Sequence, residues 1–171
     1  GGRRQGGRSG QNGEGELVAV CDIRAKEDLG LDEKFDEIPF YTTVDALLEA
    51  HPEIEVVNIA SPNGMHADQA LKVLNAQRHV VVEKLFGLEK AAVEKLIFTA
   101  LHRNRQIFAV MQNRYSPPSV WIKELVESGK LGAINMVQIN CYWNRDARYY
   151  KAGNWHGDKA LDGGTLFTQF S

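Results

Sequence analysis

The 171-residue sequence is poor in the features that mark secreted, metal-bound or membrane proteins. It has only two cysteines, Cys21 and Cys141, far apart and each within an apolar stretch. That count and spacing exclude a disulfide framework and a thiolate metal site. They predict two buried free thiols, a cytoplasmic setting and no bound metal. The longest apolar runs, such as Val80–Val82, fall well short of the ~20 residues a bilayer span needs. A dominant charge is lacking too. With 20 Lys and Arg against 22 Asp and Glu, the net charge of −2 creates no basic field to attract nucleic acid. Apolar residues at 43% and charged residues at 25% are ordinary globular composition and exclude a chain disordered throughout.

Residues 1–15, GGRRQGGRSGQNGEG, lack any aliphatic or aromatic side chain and hold seven of the 16 glycines. The Arg3-Arg4 pair would open a twin-arginine export signal only if an apolar segment followed, and none does. Three arginines against one glutamate make a weak anchor for an Arg-Gly arm on RNA. The remaining reading is a flexible tail.

Beyond the tail the pattern is regular. Glu16–Cys21 reads as a buried strand ended by Asp22, and Phe40–Thr42 as a brief one. Val44, Leu47 and Leu48 lie at helical spacing, with Thr42 or Thr43 as N-cap and Pro52 as stop. Val56–Ala60, His79–Val82 and Ile107–Met111 read as further strands. Between them, Ala67, Ala70, Leu71 and Leu74 mark one face of a helix that Asn63 is placed to cap. Val93, Leu96, Ile97, Ala100 and Leu101 mark a second helix over 88–103. Pro117 opens another, closed by Gly129 and Gly132. This alternation predicts an α/β fold, a doubly wound parallel sheet with helices on both faces. The pattern then changes: Ala133–Tyr142 predicts a longer strand, residues 143–160 a basic and aromatic loop, and Leu161–Ser171 the start of a helix.

Parallel sheets bind ligands outside the carboxyl ends of their strands. Here those ends carry Asp22, then Ser61 with Asn63 and His66, then Glu83-Lys84, then Asn113-Arg114, which together describe a binding rim. Asp22 suits the ribose hydroxyls of a dinucleotide, or is an ordinary strand-ending aspartate. Arg24 would favour a 2′-phosphate, so Asp22 leans to NAD while Arg24 keeps NADP open. Lys84, at the mouth of the sheet, is either a general base beside an oxidised nicotinamide or a solvated lysine paired with Glu83. His66 reads as a rim group or as a surface helix histidine. The glycine fingerprint of dinucleotide sites should lie about 20 residues before Asp22, at Gly2, yet no G-x-G-x-x-G is present. Nor can the tract be the helix that follows such a loop, at ~1 kcal/mol for each interior glycine. The first strand-loop-helix unit is absent or replaced, and the strand it would supply belongs between those ending at Asp22 and Ala60.

ELVAVCD, IASPNGMHADQALKVL, HVVVEKLFGL and LDGGTLF together resemble the Gfo/Idh/MocA family of NAD(P)-dependent sugar oxidoreductases, over residues 16–171. The resemblance implies a Rossmann-type dinucleotide-binding domain over 16–117, and over 118–171 the start of an α+β domain for substrate and oligomerisation. It implies Asp22 and Ile23 at the adenosine ribose, and Ser61, Pro62, Asn63 and His66 along the nicotinamide and its ribose. Glu83-Lys84 match the Glu-Lys-Pro motif, whose lysine transfers the proton, and Arg114 lies at the junction of the two domains. The stretch from Tyr149 to Gly157 with Asp162-Gly163-Gly164 looks most like the branch that oxidises C3 of UDP-N-acetyl-hexosaminuronic acids. Arg145, Arg148 and Lys151 would then meet a carboxylate or diphosphate, while Trp143, Tyr149 and Trp155 stack on sugar, with Arg145, Tyr149, Trp155 and Lys84 as the substrate contacts. A solvated basic loop with packed aromatics is the alternative.

The sequence departs from the family at Leu85, which replaces the motif's proline, in the missing fingerprint, and at Thr168, where many members have Asp or Asn. The family's catalytic histidine would follow Ser171, and His156 has the wrong spacing to replace it. The expectation is therefore a nicotinamide-dependent sugar dehydrogenase, NAD preferred and homo-oligomeric at full length, represented by an inactive piece that binds NAD weakly. Micromolar NAD binding in titration calorimetry would contradict that last point. The rivals are a non-catalytic sensor of the same fold and an RNA-associated protein acting through its tail.

Overall fold

The computed structural model describes residues 15–170; the tail expected over 1–15 lies, but for Gly15, outside the described residues. Parallel strands organise the molecule. β1 (Val20–Cys21) pairs with β2 (Phe40–Tyr41). A separate sheet orders β3 (Val56–Ile59), β4 (His79–Val82) and β5 (Ile107–Ala109), with Val57 facing Val80 and Val81 facing Phe108. Valine and isoleucine dominate these strands because branched Cβ atoms pack well on a pleated surface. The parallel strands with intervening helices make this a Rossmann-type α/β fold. Among the described residues no strand joins the β1-β2 pair to the β3-β4-β5 sheet.

The described residues hold five α-helices. α1 (Val44–Ala50) starts at Thr43, whose hydroxyl accepts the Ala46 N–H at 3.2 Å. α2 (His66–Asn75) and α3 (Lys90–Arg103) pack side by side against the β3-β4-β5 sheet. The core lies there: Ala70, Val73 and Leu74 of α2 and Leu96 and Ala100 of α3 enclose Ile59, Val80 and Val82. Those helical residues recur every three or four positions, so one stripe meets the sheet. α3 stops at Asn104, left-handed with φ 52°, where the Arg105 N–H returns to the Ala100 carbonyl at 2.9 Å. α4 (Pro117–Glu127) has its prolines in the first turn, where no helical bond is lost, and α5 (Thr165–Phe170) is short.

Four sequence expectations are corrected. Glu16–Ala19 form no ladder and β1 is half-buried, because among the described residues only β2 lies beside it. Residues 133–142 are not a strand. They pair with nothing among the described residues, and Met136, Val137, Ile139 and Tyr142 stay largely exposed, since alternation makes a strand only when a neighbour completes the ladder. Both thiols are free, but Cys141 shares that exposure and Cys21 is half-buried, so neither is a core thiol. Asn63 does not cap α2; it opens a 3-10 turn, and its side chain turns toward Asp162 and Thr168.

Candidate active site

The strand ends of the β3-β4-β5 sheet gather the polar groups. After β3, Ser61 gives its hydroxyl proton to Gln69 Oε1 at 2.7 Å, and Pro62 leads into the Asn63–Met65 turn. After β4 come Glu83 and Lys84, whose Nζ donates to the Thr168 carbonyl at 2.7 Å. After β5, Asn113 and the exposed Arg114 lie in a 3-10 turn. Lys84, Met111, Gln112, Asn113 and Arg114 line one cavity of about 100 Å³, which brings together groups from the ends of β4 and β5.

His66 is fully buried, with Nε2 facing the Ser61 carbonyl at 2.7 Å and Nδ1 the Leu85 carbonyl. Both nitrogens are therefore turned to backbone, and the ring joins the loop after β3 to the loop after β4. Ile23 is exposed.

At the end of β1, Asp22 is clamped by Arg24. Its Oδ1 accepts the Arg24 backbone N–H at 2.9 Å and Nε–H at 3.1 Å, and its Oδ2 accepts Nη2–H at 3.0 Å. These bonds, the guanidinium's first, hold the Asp22 carboxyl below the ordinary aspartate range; burial beside Asp22 pushes the Cys21 thiol up. A depressed carboxylate contributes stability above its ordinary pKa and loses it as pH falls through the lowered one. In an NMR acid titration Asp22 is thus expected to titrate below unpaired surface aspartates, and Arg24→Ala to return it to their range. Arg24 is mostly exposed, so the effect on global stability is small.

A tight junction joins the β3 loop to the C-terminal segment. The Gly64 N–H donates to the Leu161 carbonyl at 2.9 Å, and Asn63 Nδ2 donates to the Asp162 carbonyl at 3.0 Å and the Thr168 hydroxyl at 3.2 Å. A Cβ on Gly64 would overlap the Ala160 carbonyl oxygen, so the backbones approach closely only because this residue is glycine. Gly64→Ala should cost about 1–3 kcal/mol, as overpacking does. It should also raise amide exchange at position 64 over that of the parent chain while the α3 core keeps its protection, read by hydrogen exchange beside the denaturation midpoint.

The basic and aromatic loop folds into a stack. The Arg145 guanidinium lies 4.5 Å from the Trp143 ring and 4.6 Å from the Tyr149 ring. His156 stacks on Tyr149 at 4.1 Å and is tilted against Trp155 at 3.8 Å. At these separations two groups cannot share one face of Tyr149, so that ring is sandwiched within the chain. Gln169 fixes the end, its Oε1 accepting Arg145 Nη2–H at 3.2 Å and its amide donating to the Tyr149 hydroxyl at 2.9 Å. Burial pushes His156 below the usual histidine range, against the opposing pull of Asp162. Arg148 instead pairs with Asp146.

The residues that sequence reasoning passed over as site groups are Gly64, Asp162 and Thr168. The LDGGTLF stretch contained Asp162 and Thr168 follows it directly, but nothing in spacing told that this segment returns to Asn63 and Lys84. Among the described residues no cluster of three His, Cys, Asp or Glu could hold a metal, and no helix is long and apolar enough to cross a membrane.

Parallel strands with intervening helices and polar side chains gathered at their carboxyl ends are the arrangement of the open α/β folds that bind nucleotides. The sequence pattern described as "Oxidoreductase family, NAD-binding Rossmann fold" matches residues 3–111, and that of the "GFO/IDH/MocA C-terminal domain" matches residues 120–171. The chain belongs to the Gfo/Idh/MocA oxidoreductase family. It is 32% identical over 129 residues to the inositol 2-dehydrogenase of Salmonella typhimurium, covering 74% of this chain and 38% of that protein. It is 31% identical over 124 residues to the D-xylose 1-dehydrogenase (NADP(+)) of Hypocrea jecorina, covering 70% and 31%. The chain spans about a third of the length of the curated relatives it matches. Among solved structures, the WlbA dehydrogenase from Bordetella pertussis in complex with NADH and UDP-GlcNAcA superposes with a TM-score of 0.81 at 31% identity, covering 90% of this chain and 47% of that one.

Proposed function

We propose that this chain carries the proton-transfer part of a cytoplasmic, homo-oligomeric dehydrogenase that oxidises a secondary hydroxyl of a sugar or nucleotide sugar with a nicotinamide cofactor. The observation that supports this best is that Lys84 lines a cavity together with Asn113 and Arg114 at the strand ends. The donor set fits the cofactor: a carboxylate after β1 for ribose hydroxyls, amide and hydroxyl groups after β3, and an ammonium with amides after β4 and β5. Asp22 and Ile23 would hold the adenosine ribose, and Ser61, Pro62, Asn63, Glu83 and Arg114 the nicotinamide end, with His66 backing that loop from beneath. NAD is favoured over NADP because Arg24 is already spent on Asp22, so a 2′-phosphate would have to break that pair.

A bound nicotinamide supplies the hydride acceptor. Lys84 does the acid-base work. Its amine takes the hydroxyl proton as the C–H hydrogen leaves with its electron pair, so the alcohol carbon becomes a carbonyl carbon and Nζ an ammonium. The Arg145 guanidinium suits an anionic substrate such as the UDP-GlcNAcA held in complex by similar dehydrogenases, and Trp155 suits a sugar face. Tyr149 holds Arg145 and His156 apart, and contributes to substrate binding through that placement.

The test grafts residues 16–171 in place of the matching segment of the Bordetella pertussis dehydrogenase and follows NADH absorbance with UDP-GlcNAcA and a panel of free sugars. Turnover that depends on Lys84 supports the reading. A folded graft that binds NADH without turnover on any sugar points to a sensor and overturns it.

A further inference from the structure

Lys84 is held by a segment 84 positions further along the chain, and that segment is organised by one buried carboxylate. Asp162 is 3% exposed. Its Oδ2 accepts the Gly157 N–H at 2.8 Å, and its Oδ1 accepts the Thr168 hydroxyl proton in a short contact. Its backbone carbonyl accepts from Asn63 Nδ2 at 3.0 Å and also faces the Thr168 hydroxyl at 2.8 Å. A carboxylate this buried is stable only with hydrogen bonds to its oxygens, and bonds to an ionised acceptor are the strong ones. Thr168 is thereby pinned through its side chain while its carbonyl receives the Lys84 ammonium at 2.7 Å.

We propose that Asp162 is a positioning residue for Lys84, acting through Thr168, and that through Gly157 it joins the lysine to the loop bearing Trp155 and His156. Lys84 thus takes its place from the same carboxylate that fixes the aromatic stack. A group arriving on the Trp155 side would act on the proton carrier through two hydrogen bonds of Asp162, without touching it. The inference rests on the reading of Lys84 as the proton carrier, but its test needs neither cofactor nor turnover, so the two can fail separately.

The experiment is competitive acetylation of the full chain with acetic anhydride, read by mass spectrometry as Lys84 labelling relative to the exposed Lys90 and Lys123. Asp162→Asn and Thr168→Val should each raise that ratio about 2- to 10-fold, the equilibrium weight of one hydrogen bond. Thr168→Ser keeps the hydroxyl and should leave the ratio at the parent value. An unchanged ratio in Asp162→Asn and Thr168→Val overturns the proposal. So does a rise shared equally by all three lysines, which is what loss of fold alone would produce. A serine variant that behaves like the valine one assigns the effect to methyl packing and overturns it as well.

Discussion

Replacing Lys84 by methionine should lower kcat of sugar-dependent NAD reduction by about 10²–10⁴-fold, the usual contribution of a positioned acid-base group. Methionine keeps most of the stem of Lys84, which lines the cavity with Asn113 and Arg114, and removes the amine that donates to the Thr168 carbonyl. Substrate and cofactor affinity should change far less, because the lost interaction strengthens as the proton moves. Steady-state rates in the graft, with kcat and KM resolved separately, check this. A variant whose KM rises while kcat holds would make Lys84 a binding group only.

The second large effect lies in the core. Leu74 of α2 is fully buried in the cluster with Val80, Val82 and Leu96, so Leu74→Ala removes its side chain from a site that can collapse only partly. The expected cost is about 2–5 kcal/mol, against a total of about 5–15 kcal/mol for a typical domain. The core here is small, so the urea midpoint followed by far-UV circular dichroism should fall steeply. A shift below that of Gly64→Ala would show that α2 contributes less than its burial implies.

Most of the β3-to-α4 region could be read from pattern alone. His79–Val82 is bounded in the structure as in the sequence, Thr43 caps α1, and α3 ends where its apolar stripe ends. Local physics decides those features: period, caps and proline. What failed needed partners. Ala133–Tyr142 has strand composition but no neighbouring ladder among the described residues, and Glu16–Ala19 likewise, so neither pairs there. Asn63 has the chemistry of a helix cap, yet its Nδ2 donates to two acceptors on the C-terminal segment, which turns the side chain toward that segment. Around the candidate site, the rim at the strand ends was visible because parallel sheets bind there. The joining of Asn63 to Asp162 and Thr168 was not, since hydrogen bonds across 99 and 105 positions leave no periodicity.

The stacked loop also makes the molecule its own optical gauge. Two of the three tryptophans, Trp143 and Trp155, terminate one array with Arg145, Tyr149 and His156 between them, while Trp121 stands apart on α4. An indole pressed against an imidazole loses emission when that imidazole takes a proton. The emission of Trp155 should therefore dim as acid protonates His156, below the usual histidine range, and a chain with Trp121→Phe and Trp143→Phe would isolate that signal.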